Sequence, residues 1–186
     1  MLTRSEFNEV QQIIMSAWHT GDLDGAFAAI EAVLKDGTGE MKGQCLFYRG
    51  MIRQAEGALE NAKEDWLQAH HYSAGGTFLR YELERSLGEV CEETHAPQEA
   101  QGWYLAALQS CSTGDEFSGN RTLSAYLRLC GGIVSPEDHA LVASVVEKSL
   151  RVLQLPGVPD VADLDGSVAS LTSRFNEMIA EASAYR

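Results

Sequence analysis

Apolar residues recur at intervals of three and four along nearly the whole chain, and runs that alternate apolar with polar positions are scarce. That period predicts helices throughout. Phe7, Val10, Ile13, Ile14 and Ala17 form a first apolar face, which stops at 20-TGD-22. Ala26, Phe27, Ile30, Val33 and Leu34 form a second, broken by 35-KDGTGEMKG-43. Leu46, Phe47, Met51 and Ile52 mark a third that ends near Glu56 and Gly57, and 57-GALENAKEDWLQAHHY-72 is a fourth, closed by 73-SAGG-76. Phe78, Tyr81, Leu83, Leu87 and Cys91 mark a fifth. A sixth starts at Pro97, where the missing N–H would have no helical partner anyway, and runs through Ala100, Tyr104, Ala107 and Leu108. After a loop over 111-CSTGDEFSGN-120, a short helix over 122-TLSAYLRLC-130 ends at Gly131 and Gly132. The stretch 135-SPED-138 predicts another start, with Ser135 as N-cap and Pro136 at the first helical position. Beyond 155-LPGVPD-160, Leu164, Val168, Leu171, Phe175, Met178 and Ala182 trace a last helical seam. Short connections make successive helices antiparallel neighbours, so an all-α stack of four helical hairpins and a single final helix is expected.

The hairpins share a spacing. Ala62, Trp66 and Ala69 repeat as Ala26, Ile30 and Val33 upstream and as Ala100, Tyr104 and Ala107 downstream, at distances of 36 and 38 residues. Gly50 stands twelve before Ala62, and Gly88 twelve before Ala100. This pattern resembles the tetratricopeptide repeat family, whose motif sets a small residue on the first helix, glycine near the turn, and alanine, a bulky residue and alanine on the second. Gly50, Gly57, Ala62, Trp66 and Ala69 match all five positions, and Gly88, Ala100, Tyr104 and Ala107 match four. Ile14 departs at the small position of the first repeat, and His95 at the turn position of the third. The linkers exceed the repeat of about 34 residues usual in the family. The resemblance implies one domain, a right-handed superhelical α-solenoid, with repeats over about 7–40, 43–76, 81–114 and 121–155. A capping helix over about 161–184 closes it.

At 186 residues the chain is long enough for one core. Its 27 acidic against 14 basic residues leave a formal charge of −13. That sign argues against nucleic acid, which is held by lysines and arginines that neutralise phosphate. It equally disfavours an anionic membrane surface and favours basic partners. No apolar run approaches the roughly 20 residues that cross a bilayer, and the start lacks a signal-peptide pattern, so the expected location is the cytoplasm. Cys45, Cys91, Cys111 and Cys130 are widely spaced, without the close pairs of a zinc site, and read as small core residues of a reduced compartment.

His70 and His71 are the conspicuous candidates for chemistry. Neighbours on a helix point about 100° apart, and neither has the i+4 partner of a zinc helix. Both read as helix C-terminal residues that complement the dipole. Glu60, Glu64 and Asp65, alternating with Lys63, read as a solvated outer face, and Trp66 as core. No P-loop or nucleophile elbow is present, and no catalytic residue, metal or cofactor is expected. The 120–122 sequon is irrelevant in the cytoplasm.

In tetratricopeptide arrays the first helix of each hairpin lines the concave ligand groove, and the resemblance carries that role to Asn8, Gln11, Met15 and Trp18, then Gln44, Phe47, Met51 and Gln54. The next repeat adds Glu82, Arg85, Glu89, Glu92 and Glu93. Glu82, Glu89 and Glu93 fall at i, i+7 and i+11 on one helical face, and four acids around one arginine invite a basic segment. Trp18, Phe47 and Met51 suit apolar anchors. The expectation is a non-catalytic interaction module that binds a basic or amphipathic peptide or protein segment, as an adaptor, a secretion chaperone or an immunity-type protein, and is itself a monomer or homodimer. Two alternatives stand beside it: a metal-dependent or Cys/His enzyme using His70, His71 or His95, and a self-assembling module that dimerises through Leu164–Ala182.

Overall fold

The computed structural model describes residues 2–74, 77–112, 120–131 and 133–152, without the side chains of Trp18, Ser112, Asn120 and residues 147–152. Eight α-helices make up the described residues: α1 (Arg4–Thr20), α2 (Leu23–Asp36), α3 (Gly39–Ala55), α4 (Leu59–Tyr72), α5 (Phe78–Glu93), α6 (Pro97–Ser112), α7 (Asn120–Leu129) and α8 (His139–Val152). The expected helix over 161–184 lies outside the described residues.

Local chemistry sets the ends. Thr3 caps α1 in a reciprocal box with Glu6, and Asp22, Thr38 and Thr77 accept from the first-turn amides of α2, α3 and α5. Thr38 starts α3 at Gly39, inside the stretch 35–43 that was expected to be a break. The start of α8 also departs from expectation. Ser135 accepts from the Asp138 amide within a turn, and α8 opens only at His139. The Asp138 carboxylate, taken by the hydroxyls of Ser135 and Tyr126, pins that turn, so Ser135 does not cap the helix.

Neighbouring helices pack in pairs. Arg53 reaches Asp65, Arg49 reaches the same carboxylate, and Gly43 meets Tyr72, so α3 and α4 run antiparallel. In the α5/α6 pair, Gly88 and Glu92 both meet Tyr104, and Glu84 meets Ser110. A β-carbon on Gly50 would stand 2.3 Å from the Trp66 indole, and one on Gly88 would stand 2.5 Å from the Tyr104 ring. Only glycine admits those rings, and each ring is almost wholly buried. The α1/α2 pair has no such glycine and packs less closely. Both α7 and α8 pack on α6, and they touch each other only lightly.

α3 is shared between two cores. Cys45 and Ile52 join Phe7, Ile14 and Ile30 of the first pair, while Leu46 joins Trp66, Leu83, Tyr104 and the apolar residues of α7 and α8. Burial of this kind is worth about 1.5–3 kcal/mol for each large side chain. Asp65 corrects the expectation of a solvated outer face. Its side chain is 1% exposed, held by Arg49 and Arg53 of α3. The reason is positional: Asp65 sits between Ala62, Trp66 and Ala69 on the inner stripe of α4, whereas Glu60 and Glu64 are exposed.

Candidate functional site

α1, α3 and α5 each contribute one helical turn to a groove of about 320 Å³. Ile14 and Met15 come from α1, Phe47, Tyr48 and Met51 from α3, and Phe78 and Glu82 from α5. Six of the seven carry apolar or aromatic surface. Met15 and Phe78 are 50% and 64% exposed, in contrast to the buried aromatics between paired helices. Gln11 of α1 donates to Gln44 of α3 at 3.0 Å, and Gln54 of α3 donates to Glu93 of α5 at 2.9 Å. These two bridges tie the three helices on the face that carries the groove.

Of the residues expected to bind a ligand, the structure brings Phe47, Met51 and Glu82 into the groove. Trp18 lies on α1, but its side chain is outside the described residues. Arg85 and Glu89 stand behind Glu82 in a ladder: Arg85 donates to Glu82 and to Glu89, and Glu89 pairs with Arg121 of α7 at 2.9 Å. Burial works against the Arg85 charge, but its two carboxylates outweigh that and raise it above the usual guanidinium value. Glu92 turns toward α6 and α7, accepting from the Tyr104 hydroxyl and pairing with Arg128. Glu93 is exposed and takes the Gln54 amide. The strip therefore contains three arginines rather than one. Arg121 and Arg128 belong to α7, and spacing along α5 alone could not reveal them.

Ile14, Tyr48 and Phe78 complete the groove and were not among the expected site residues. Ile14 is almost wholly buried in the core of the first pair and meets the groove from its floor.

The histidines separate. His70 Nε2 lies 3.1 Å from Glu84 Oε1, and its ring meets Trp103 edge-on. Burial holds His70 below the usual imidazole value, against the pull of Glu84. Glu84 is itself buried and accepts from Arg80 Nε and from the Ser110 hydroxyl, both at 2.6 Å. His71 is exposed beside Tyr72, and His95 occupies the turn before α6. Burial pushes the Cys45 thiol up to about 12, well away from a nucleophile's range. Among the described residues no three His, Cys, Asp or Glu side chains gather around a point that one metal ion could occupy, and no helix is long and apolar enough to cross a membrane.

No protein-family model matches the chain, and no curated protein matches it.

Proposed function

We propose that the chain is a tetratricopeptide-like, right-handed stack of helical hairpins that does no chemistry. It holds a basic, amphipathic segment of another protein in the α1–α3–α5 groove. The observation that carries this reading is the groove itself: exposed Met15 of α1 and Phe78 of α5 meet the partly buried Phe47, Tyr48 and Met51 of α3 beside one carboxylate. Large apolar side chains left open to water in one concave patch mark a surface for a partner. The repeat frame is supported by Gly50 against Trp66 and Gly88 against Tyr104, which stand at corresponding positions of two hairpins.

Apolar side chains of the bound segment would enter the groove between the three helices. The formal charge of −13 draws basic segments toward the surface.

The test is affinity capture with the tagged full chain beside a Met15→Glu variant, which changes an exposed side chain and spares the core. The reading expects a partner retained by the parent chain, lost by Met15→Glu, and reduced to one apolar, basic segment on truncation. Equal capture by both chains would remove the groove from the account.

A further inference from the structure

We infer that Arg85 is an internal stand-in for a lysine or arginine of the bound segment, and that Glu82 is the residue selecting that cation. The inference rests on the groove reading above. Glu82 supplies the charge among the groove's lining residues. Its Oε2 accepts from Arg85 Nη2 at 2.6 Å, one helical turn further along α5. Arg85 is divided between two acids, because its other terminal nitrogen donates to Glu89. A guanidinium held at both ends can release one carboxylate and stay paired through the other. Glu89 has a second partner in Arg121, but that side chain is 77% exposed, so its hold is weak and gives way readily. Glu82, Arg85 and Glu89 together carry one net negative charge, and the end of this triad that reaches the groove is Glu82.

A cation arriving at Glu82 has Phe47, Met51 and Phe78 around it. Partly shielded from water, the new pair is stronger than the same pair on open surface. The apolar lining takes the neighbouring side chains of the segment, so the recognised feature is an apolar residue with a lysine or arginine next to it. An acidic residue in that place meets the net negative charge of the triad and is rejected. The same electrostatics disfavours two other occupants. Residues 153–186, outside the described residues, hold five acidic and two basic side chains, and a second copy of the chain brings a formal charge of −13.

The experiment selects short random peptides displayed on phage against the full chain and against Glu82→Gln, Arg85→Gln and Arg121→Gln variants. One selected peptide is then synthesised with its basic residue and with glutamine in that place. Affinities are read by fluorescence anisotropy, and the site by the 13C-methyl signals of Met15 and Met51. The parent chain is expected to enrich lysine or arginine beside apolar residues and to prefer the basic peptide about tenfold. That preference should fall to about parity in Glu82→Gln and rise several-fold in Arg85→Gln. Arg121→Gln removes the same charge without touching Glu82, and should raise it distinctly less. Enriched peptides without a basic residue, or an undiminished preference in Glu82→Gln, overturn the selecting role. An equal or larger gain in Arg121→Gln overturns the stand-in role. Bound peptides that leave Met15 and Met51 unmoved, or no enrichment at all, overturn the groove reading and this inference with it. Peptides that move both signals without any basic preference overturn this inference alone.

Discussion

In the second hairpin the Trp66 indole lies over Gly50, and in the third the Tyr104 ring lies over Gly88. Both pairs draw two helices close by setting glycine against an aromatic ring. The polar groups buried beside them are arranged differently. Asp65 on α4 is gripped by Arg49 and Arg53 of α3, so its ion pairs lie within one hairpin. Glu84 on α5 takes Arg80 from its own helix, Ser110 from α6 and His70 from the preceding hairpin. One buried acid closes a hairpin, and the other joins two. The turns differ as well: Gly57 adopts a left-handed φ of 78°, while His95 adopts 60° at the corresponding place. Equal backbone geometry is thus reached once by a residue suited to it and once against steric resistance.

The largest effects should come from the buried acids. Replacing one partner of a buried ion pair leaves uncompensated charge, a loss of about 3–5 kcal/mol. Asp65→Ala should fall at the lower end, because Arg49 keeps Glu31 and Arg53 is partly open to water. Urea unfolding measures this, and a loss below about 1 kcal/mol would place Asp65 among ordinary surface acids. Glu84→Ala should cost a similar amount, and hydrogen exchange should show the α4–α5 contact loosened ahead of either hairpin. Protection that drops uniformly instead would erase the distinction between the two acids.

Next come the glycines. Gly50→Ala and Gly88→Ala force a methyl into a ring, at a cost of about 1–3 kcal/mol. Gly50→Ala should be the worse, because its approach is the closer. Pairing each with its ring-removing change, Trp66→Leu or Tyr104→Leu, should recover part of the loss in a double-mutant cycle. Strict additivity would show that glycine and ring do not oppose each other. His95→Gly should stabilise the chain by about 1 kcal/mol by relieving left-handed strain, and Gly57→Ala should destabilise it by about as much. A destabilised His95→Gly would mean that the imidazole contributes more than its backbone loses.

The smallest effect is the pH dependence of His70. Burial lowers its folded-state value below the unfolded value of about 6.5. The unfolded chain therefore takes up the proton first. Stability is held above about pH 6.5 and declines as the pH drops from there through the folded value. Arg80 and Glu84 of α5 and Trp103 of α6 surround the ring, and Ser110 of α6 holds the other oxygen of Glu84. His70→Gln should flatten that decline, and an unchanged profile would assign it to other groups.

Helix order and the recurrence of Gly50, Trp66, Gly88 and Tyr104 at a fixed spacing were legible along the chain, whereas the starts of α3 and α8 and the contact of each ring with a glycine of its own hairpin were not. Asp65 was misread, although its place three after Ala62 and four before Ala69 puts it on the buried stripe. Its charge suggests an outer face, and its phase along α4 overrules that. The counter-charges Arg121 and Arg128 were not legible, because they cross from α7 over sequence separations that no periodicity encodes. The groove was half legible. Phe47, Met51 and Glu82 follow from the repeat frame, whereas Ile14, Tyr48 and Phe78 join them only through how α1, α3 and α5 come together.

We propose above all that the open face of α1, α3 and α5 is a binding groove. Methyl-13C methionine spectra of the full chain test it directly, because Met15 and Met51 line the groove and Met41 is buried in the first core. On titration with the captured partner's apolar, basic segment, the Met15 and Met51 signals should move together and saturate, with Met41 unmoved. Saturable binding that leaves Met15 and Met51 in place would contradict the claim.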